Sequence, residues 1–523
     1  MRKIWQGALT AGLATLLLSC GGGGESTGVD VRPFGPGFGA FSGFSQIHGL
    51  IGLVVDANTG APLPGVTVAA GSLTTTTDAQ GNFTMPTIAN GTSVVSFTLA
   101  AFAPQSRTVQ VIATIETSVI VQMVPNGATT PATIDPVVGG TLTVSGTPAQ
   151  LTVGANDLRH ADGSNAGAGV ATVVLTPIGP SLDAFLLPGE FVATLTGGSS
   201  SSFETFGGLD VRATDALGAA LTTLNSPGTI RIPVNTRSTA LPATVSLMRF
   251  DPTTGVWIEE GTATLMGTAP NQFYEGTVTR IATWTAAQAY TASNIPVCVN
   301  DTNGNPVANA RVVSDGINYS GGGTAWTDAS GNATVPMKSG GQAVISANSP
   351  RSSNSITAPP APTQCLIMPT AGMTIRLTWG SSPSDLDSHL KGPNNFHIAY
   401  FSLGSLTSAP FARLDVDDTS SFGPEVITIT RLTQGLNEYF VHNFIGTNPP
   451  GITGSSARVE VRVGTQIAIY RPGTGEGTTN DYWRVFQFTV NPDCSVTLNP
   501  LTNSWAAVEP ANPAGSGSGN ICN

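Results

Sequence analysis

Residues 50–68 read LIGLVVDANTGAPLPGVTV. An apolar run from Leu50 to Val55 stops at Asp56, a turn cluster follows at Asn58-Thr59-Gly60, and apolar residues return at Val66 and Val68. A second turn cluster stands at Ala79-Gln80-Gly81-Asn82, and the pattern runs on to TSVIVQMVP at 117–125. Apolar runs this short, cut by turn residues at this spacing, predict strands of a β-sandwich.

Composition extends that reading to the whole chain. Only 10% of the 523 residues are Asp, Glu, Lys or Arg, against about 25% in an average soluble protein. Helix-rich proteins carry Glu, Lys and Arg on their exposed faces, so a helical fold is excluded. Hydrophobic residues make up 40% of the chain, which argues against wholesale disorder. The 62 glycines and 37 prolines suit sheets with many turns. The net charge is −11, and the lysines are Lys3, Lys338 and Lys391. A nucleic-acid binder needs concentrated cations to displace counterions, so that class is excluded. The length suits three or four domains.

The first unit, 46–126, resembles the carboxypeptidase regulatory-like domain, a small transthyretin-like sandwich. The matching residues are Gly52, Asp56, Thr59-Gly60, Pro62-Leu63, Gly65-Val66 and Val68, then Thr77-Asp78, Gly81, Phe83 and Gly91. The resemblance implies a folded spacer or binding accessory without catalytic residues, with Asp78 as a turn cap.

A larger sandwich is expected over 127–292. Its Asp251-Pro252, Gly255, Trp257 and Glu260-Gly261 resemble the extracellular domain of cartilage intermediate layer proteins. Asp-Pro-Thr-Thr-Gly is a turn, Trp257 starts the returning strand, and Glu259-Glu260 is expected to be a solvated strand end. Residues 293–369 repeat the first unit's logic. Asp301 corresponds to Asp56, Gly304-x-Pro306 to Gly60-x-Pro62, and Thr327-Asp328-x-x-Gly331 to Thr77-Asp78-x-x-Gly81. This is a second, divergent regulatory-like sandwich by resemblance. Residues 370–508 form a C-terminal sandwich, and 509–523 a Gly/Ser-rich tail. The fold class is therefore all-β, four tandem β-sandwiches behind a leader and a flexible linker.

The leader is residues 1–19: Arg2 and Lys3, an apolar run from Ala8 to Leu18, then Ser19. That is the form of an export signal, and the run is too short to span a bilayer. Leu17-Leu18-Ser19-Cys20 resembles a bacterial lipobox, which implies cleavage before Cys20 and lipidation of its thiol. Residues 20–45 follow as a Gly-rich linker. Gly21 after the cysteine resembles lipoproteins sent to the outer membrane. The expected location is the cell envelope, with the membrane as a partner through the lipid.

Four further cysteines, Cys298, Cys365, Cys494 and Cys522, suit disulfides in an exported chain. They allow three pairings. Cys298 lies on the first strand of the third unit and Cys365 on its last, which are neighbours in a regulatory-like sandwich. Cys298–Cys365 and Cys494–Cys522 are therefore expected.

The fourth unit concentrates the acids. Asp385, Asp387, Asp415, Asp417, Asp418 and Glu425 fall within 41 positions, six of the chain's 32 acidic residues. Carboxylates two apart repel unless a cation, hydrogen bonds or solvent compensates. Calcium takes six to eight oxygens, so Asp385, Asp387, Asp415 and Asp417 are the first choices as metal ligands with calcium the expected ion, and the equal alternative is a structural network in which these acids cap turns and pair with backbone amides. On a strand, residues i and i+2 share a face. Leu377, Trp379, Asp385-Leu386-Asp387-Ser388-His389-Leu390, Leu414-Asp415-Val416-Asp417-Asp418 and Gly423-Pro424-Glu425 resemble an uncharacterised family of secreted bacterial β-domains. That resemblance carries no activity.

The expected function is a non-catalytic envelope lipoprotein with a structural or binding role, its first three units acting as spacers. No nucleophile elbow, His-Glu-x-x-His or phosphate loop argues for an enzyme. Two alternatives stand. One is an adhesin that binds carbohydrate, surface polymer or protein, stacking on Trp379, Tyr400, Trp483 and Trp505. The other is a hydrolase using the acidic cluster or His389, with His397 nearby.

Overall fold

The computed structural model describes residues 49–112, 115–127, 132–349, 351–370, 372–464, 466–477, 481–513 and 519–522. The leader, Cys20 and the 20–45 linker lie outside the described residues. Strands account for 54% of the described residues and helix for 2%, so the fold is all-β. No helix of the described residues is long and apolar enough to cross a membrane.

The first region stacks two sheets. Leu50–Asp56 runs between Asn82–Met85 and Thr117–Met123, pairing parallel with the latter. The facing sheet orders Leu73–Thr76, Thr67–Ala70, Gly91–Thr98 and Gln105–Val111. Leu50, Val54 and Val121 of one sheet pack on Val68, Phe97 and Val109 of the other. Asp78 caps its turn, its Oδ1 accepting from the Gln80 and Asn82 amides at 2.9 and 2.8 Å. Gly81 has φ +75°, and a Cβ there would lie 2.6 Å from the Val54 carbonyl oxygen, so only glycine closes the turn.

Residues 292–368 repeat this local chemistry. Ala292–Asp301 runs between Asn332–Lys338 and Leu366–Met368, again parallel to the latter. Asp328 Oδ1 accepts from the Ser330 and Asn332 amides, and Gly331 has φ +75°. The Thr77 hydroxyl donates to Leu63 O and accepts from Val66 N, while Thr327 does the same with Val307 O and Ala310 N. The Cys298–Cys365 disulfide joins the first strand to the residue just before the last.

Between these regions, thirteen strands share one sheet that encloses a core containing Leu151, Leu209, Ile230, Tyr274 and Trp284. Trp257 opens the Val256–Met266 strand, is 1% exposed, and donates its indole N–H to Pro188 O. Glu259 accepts from Thr196 N, and Glu260 pairs with Arg249 at 2.8 Å. These are structural contacts rather than a paired site.

The C-terminal region is two five-stranded antiparallel sheets. One orders Ala412–Val416, Glu425–Ile429, Met373–Thr378, Arg458–Val463 and Gln466–Tyr470. The other orders Phe396–Ile398, Asp387–Gly392, Gly435–His442, Tyr482–Val490 and Val496–Ala506. Their shared core holds Leu377, Trp379, Leu390, Tyr439, Trp483 and Phe486. The Cys494–Cys522 disulfide ties the tail to a turn, and Cys522 N donates to Leu432 O.

The regions are docked rather than strung out as spacers. Leu53 and Val55 pack against Ile467 and Ile469, and Ile317 and Val344 against Val416 and Val426. Charge is buried between them as well. Asp315 accepts from Arg237 at 2.8 Å and also from Arg376, linking three regions. Gln122 donates to Glu460 at 2.9 Å, and Glu460 is held by Arg458 at 2.9 Å and Arg462 at 2.6 Å. These groups border a junction cavity of about 140 Å³ lined by Arg107, Asp183, Asp315, Arg376, Glu460 and Arg462.

Candidate functional site

The site begins with strand alternation. On Asp387–Gly392, the Ser388 hydroxyl meets the Tyr439 hydroxyl at 2.7 Å and Leu390 enters the core. Asp387, His389 and Lys391 therefore project from the other face of the sheet. The partner strand registers His442 opposite Asp387 and Phe440 opposite His389. The Phe396–Ile398 strand places His397 opposite Lys391. Three of the chain's five histidines thus share one sheet face.

Their contacts are specific. His389 Nδ1 and His397 Nε2 are 2.9 Å apart. The His389 ring stacks on Phe440 at 4.9 Å, and His442 stacks on Tyr482 at 4.2 Å. His442 Nδ1 stands 3.7 Å from Asp387 Oδ2, and His397 Nδ1 stands 3.7 Å from Glu509 Oε1. Lys391 pairs with Glu509 and donates to Pro510 O at 2.6 Å, so the chain after residue 508 covers this face. Burial pushes the His389 imidazole down to about 2, helped by the charges of His397, His442 and Lys391. Burial, with Lys391, takes His397 down to about 4. Both rings are neutral at neutral pH.

The carboxylates meet at the end of this strand. Asp387, Asp417 and Glu425 each place one oxygen within 4.8 Å of the others, and so do the ligand atoms of Asp387, His389 and His442. Glu425 starts a strand of the other sheet and reaches across, its Oε2 accepting from Ser388 N. Asp385 Oδ1, Asp387 Oδ2, Glu425 Oε1 and His389 Nε2 are buried without a hydrogen-bond partner. Native structures rarely leave such atoms unsatisfied. Among the described residues, no lysine or arginine pairs with Asp385, Asp387, Asp417 or Glu425.

The electrostatics follow from that lack of pairing. Burial, then Asp387, Asp417 and Asp418, raises the Asp385 carboxyl to about 6. Burial raises Asp387 against the opposing pull of His442. Burial and the charge of Asp387 push Glu425 well above the carboxylate range. This is an oxygen-rich pocket that repels its own ionised form.

The predicted ligands divide. Asp387 and Asp417 come together, with Asp385 beside them. Asp415 lies apart: its Oδ2 accepts from Ser355 N of the third region at 3.0 Å, and burial raises its carboxyl to about 7. The expected shared face of Asp415 and Asp417 fails because pairing slips between Leu414 and Val416 and the strand ends there. Asp418 caps a turn through Ser420. Glu425 takes the place that Asp415 was expected to fill. His442 was missed in the sequence because it lies on a separate strand. The alternation of Glu438, Phe440 and His442 in EYFVHNF was the available signal.

The four aromatics of the adhesin reading do not form one surface. Trp379 and Trp483 are core residues at 0% and 2% exposure, and Trp505 packs on the core edge. Tyr400 is exposed and contacts Phe401 and Phe444 instead.

Comparison with known families matches residues 49–124 to the carboxypeptidase regulatory-like domain. Such domains are non-catalytic. The match bears out the resemblance carried by Gly52 through Gly91. No curated protein matches the chain.

Proposed function

We propose that this chain is a non-catalytic cell-envelope protein, anchored through a lipid on Cys20, whose C-terminal region binds calcium. The ligands are Asp385, Asp387, Asp417 and Glu425. The observation that supports this is the trio of buried, unpartnered oxygens, Asp385 Oδ1, Asp387 Oδ2 and Glu425 Oε1. A divalent cation at the Asp387–Asp417–Glu425 group, whose ligand oxygens lie within 4.8 Å of one another, satisfies the Asp387 and Glu425 oxygens and cancels their repulsion, with Asp385 adding negative charge beside it. The role is structural or binding, in keeping with the regulatory-like first region.

Thermal melting of the full chain tests the calcium reading. Calcium at about one hundred times its Kd stabilises the fold by about 2.7 kcal/mol. The midpoint should rise from chelator to millimolar calcium, and Asp387→Asn should abolish the rise. An unchanged wild-type midpoint would overturn it. Lipidation is tested by metabolic labelling with palmitate, which Cys20→Ser should eliminate.

A second reading rests on Tyr400, Phe401 and Phe444, which are 43%, 56% and 46% exposed, with Tyr400 contacting both phenylalanines. Such a rim suits stacking on a surface polysaccharide. Affinity electrophoresis in cell-wall polysaccharide should show retardation that a Tyr400→Ala/Phe444→Ala variant loses. Equal mobility with and without polysaccharide would reject it.

A further inference from the structure

We propose that Asp387, His389 and His442 form a mixed nitrogen–oxygen site for a zinc-class divalent cation, which shares Asp387 with the all-oxygen cluster beside it and so is an alternative to calcium at that carboxylate. Sheet register assembles the set. Asp387 and His442 are opposite one another on paired strands, and His389 follows Asp387 by two on the same face. One ligand atom from each lies within 4.8 Å of the others.

Proton bookkeeping along the histidines supplies an independent argument. His397 Nδ1 stands 3.7 Å from Glu509 Oε1, which favours the tautomer with the ring proton on that nitrogen. His397 Nε2 is then an acceptor, and the hydrogen bond 2.9 Å away must come from His389 Nδ1–H. His389 Nε2 is left with a bare lone pair. That atom is buried without a partner in a residue only 2% exposed. Asp387 Oδ2, 3% exposed as a residue, is the second unpartnered atom at the site.

A ligating imidazole whose other nitrogen donates to a hydrogen-bond acceptor is the usual second-shell arrangement at metal centres. Here the Glu509–His397–His389 chain supplies it. His389 is further clamped by Phe440, and His442 by Tyr482, which holds the ring planes before any ion arrives. Two imidazoles and one carboxylate suit zinc and its neighbours, whereas calcium prefers oxygen throughout. Three protein ligands leave a coordination position for solvent. His397 is a positioning residue, acting through His389.

The test uses the full chain without a histidine tag, stripped by chelator and titrated with zinc alone, then with cobalt(II) as a spectroscopic probe. The expected result is saturable binding of one zinc and a visible cobalt band of low-symmetry nitrogen–oxygen ligation. His442→Ala and His389→Gln should each remove that site, and His397→Ala should weaken it by about 10–100-fold. Glu425→Gln should leave zinc binding in place while abolishing the calcium response, so that failure of either site is read separately. Absence of saturable zinc binding and of a cobalt band in the wild type would overturn the proposal without any variant. Unchanged zinc affinity in a folded His442→Ala variant would also overturn it.

Discussion

Glu460 and Glu425 sit on strands that flank the same Met373–Thr378 strand, and both are almost wholly buried, at 3% and 0% exposure. Burial raises the pKa of each. Arg462, Arg458 and Arg376 reverse that effect at Glu460 and hold it well below the carboxylate range. Glu425 has one backbone amide and the repulsion of Asp387, and it stays far above that range. Asp315 repeats the first pattern at the junction. Burial would raise it, but Arg237 and Arg376 together take it below the ordinary value. Equal depth therefore marks two different jobs. The junction closes its charge internally and acts as a structural lock between regions. The C-terminal cluster has no lysine or arginine partner among the described residues.

The largest expected effect breaks the lock. Asp315→Ala leaves Arg237, whose side chain is 0% exposed, without its carboxylate partner. Removing one member of such a buried pair costs about 3–5 kcal/mol. Urea unfolding should show a lower midpoint of that size, with the calcium response of the surviving fold retained.

The opposite sign is expected at the cluster. Glu425→Gln replaces, at nearly constant shape, a buried carboxyl whose Oε1 is unpartnered and whose ionised form burial and Asp387 disfavour. In chelator the variant should be as stable as the wild type, or more stable by about 1–3 kcal/mol, the cost of burying an unsatisfied polar group. Differential scanning calorimetry with chelator checks this. A marked loss of stability would mean that Glu425 is paired like Glu460.

Acid should separate the two regions further. Glu460 and Asp315 have folded pKa values below their unfolded ones, which are about 4.3 and 3.9. Their stabilisation is complete above the unfolded values and is lost as pH falls through the folded ones. A melting series in chelator should fall from about pH 4 downward, and Glu460→Gln should flatten that limb.

The smallest effect belongs to Asp415. Asp415→Ala removes one hydrogen bond to Ser355 N, worth about 1 kcal/mol, and leaves the calcium response intact. Loss of that response would return Asp415 to the ligand set.

The contrast also shows what a sequence can and cannot carry. Local chemistry was legible. Asp78 and Gly81 announce their turn within four residues, and Cys298 with Cys365 marks the two ends of the third region. The acids between Asp385 and Glu425 stand out in a chain with little charge. What was hidden depends on pairing between distant strands. His442 reaches Asp387 only through antiparallel register, and Glu425 arrives from the other sheet. Asp415 was misplaced because one slipped pairing near Val416 breaks strict alternation. The lock was hidden for the same reason: Arg237, Asp315 and Arg376 come from three different regions, and only the fold brings them together. Glu460 is the exception, since Arg458 and Arg462 flank it two residues away on its own strand.

The central claim is that unpaired buried carboxylates in the C-terminal region receive an external cation. Calorimetric titration of chelator-stripped full chain with calcium tests it most directly. One saturable site is expected in the wild type, lost in Glu425→Gln and kept in Asp415→Ala. No saturable binding up to millimolar calcium, or identical binding in wild type and Glu425→Gln, would contradict it.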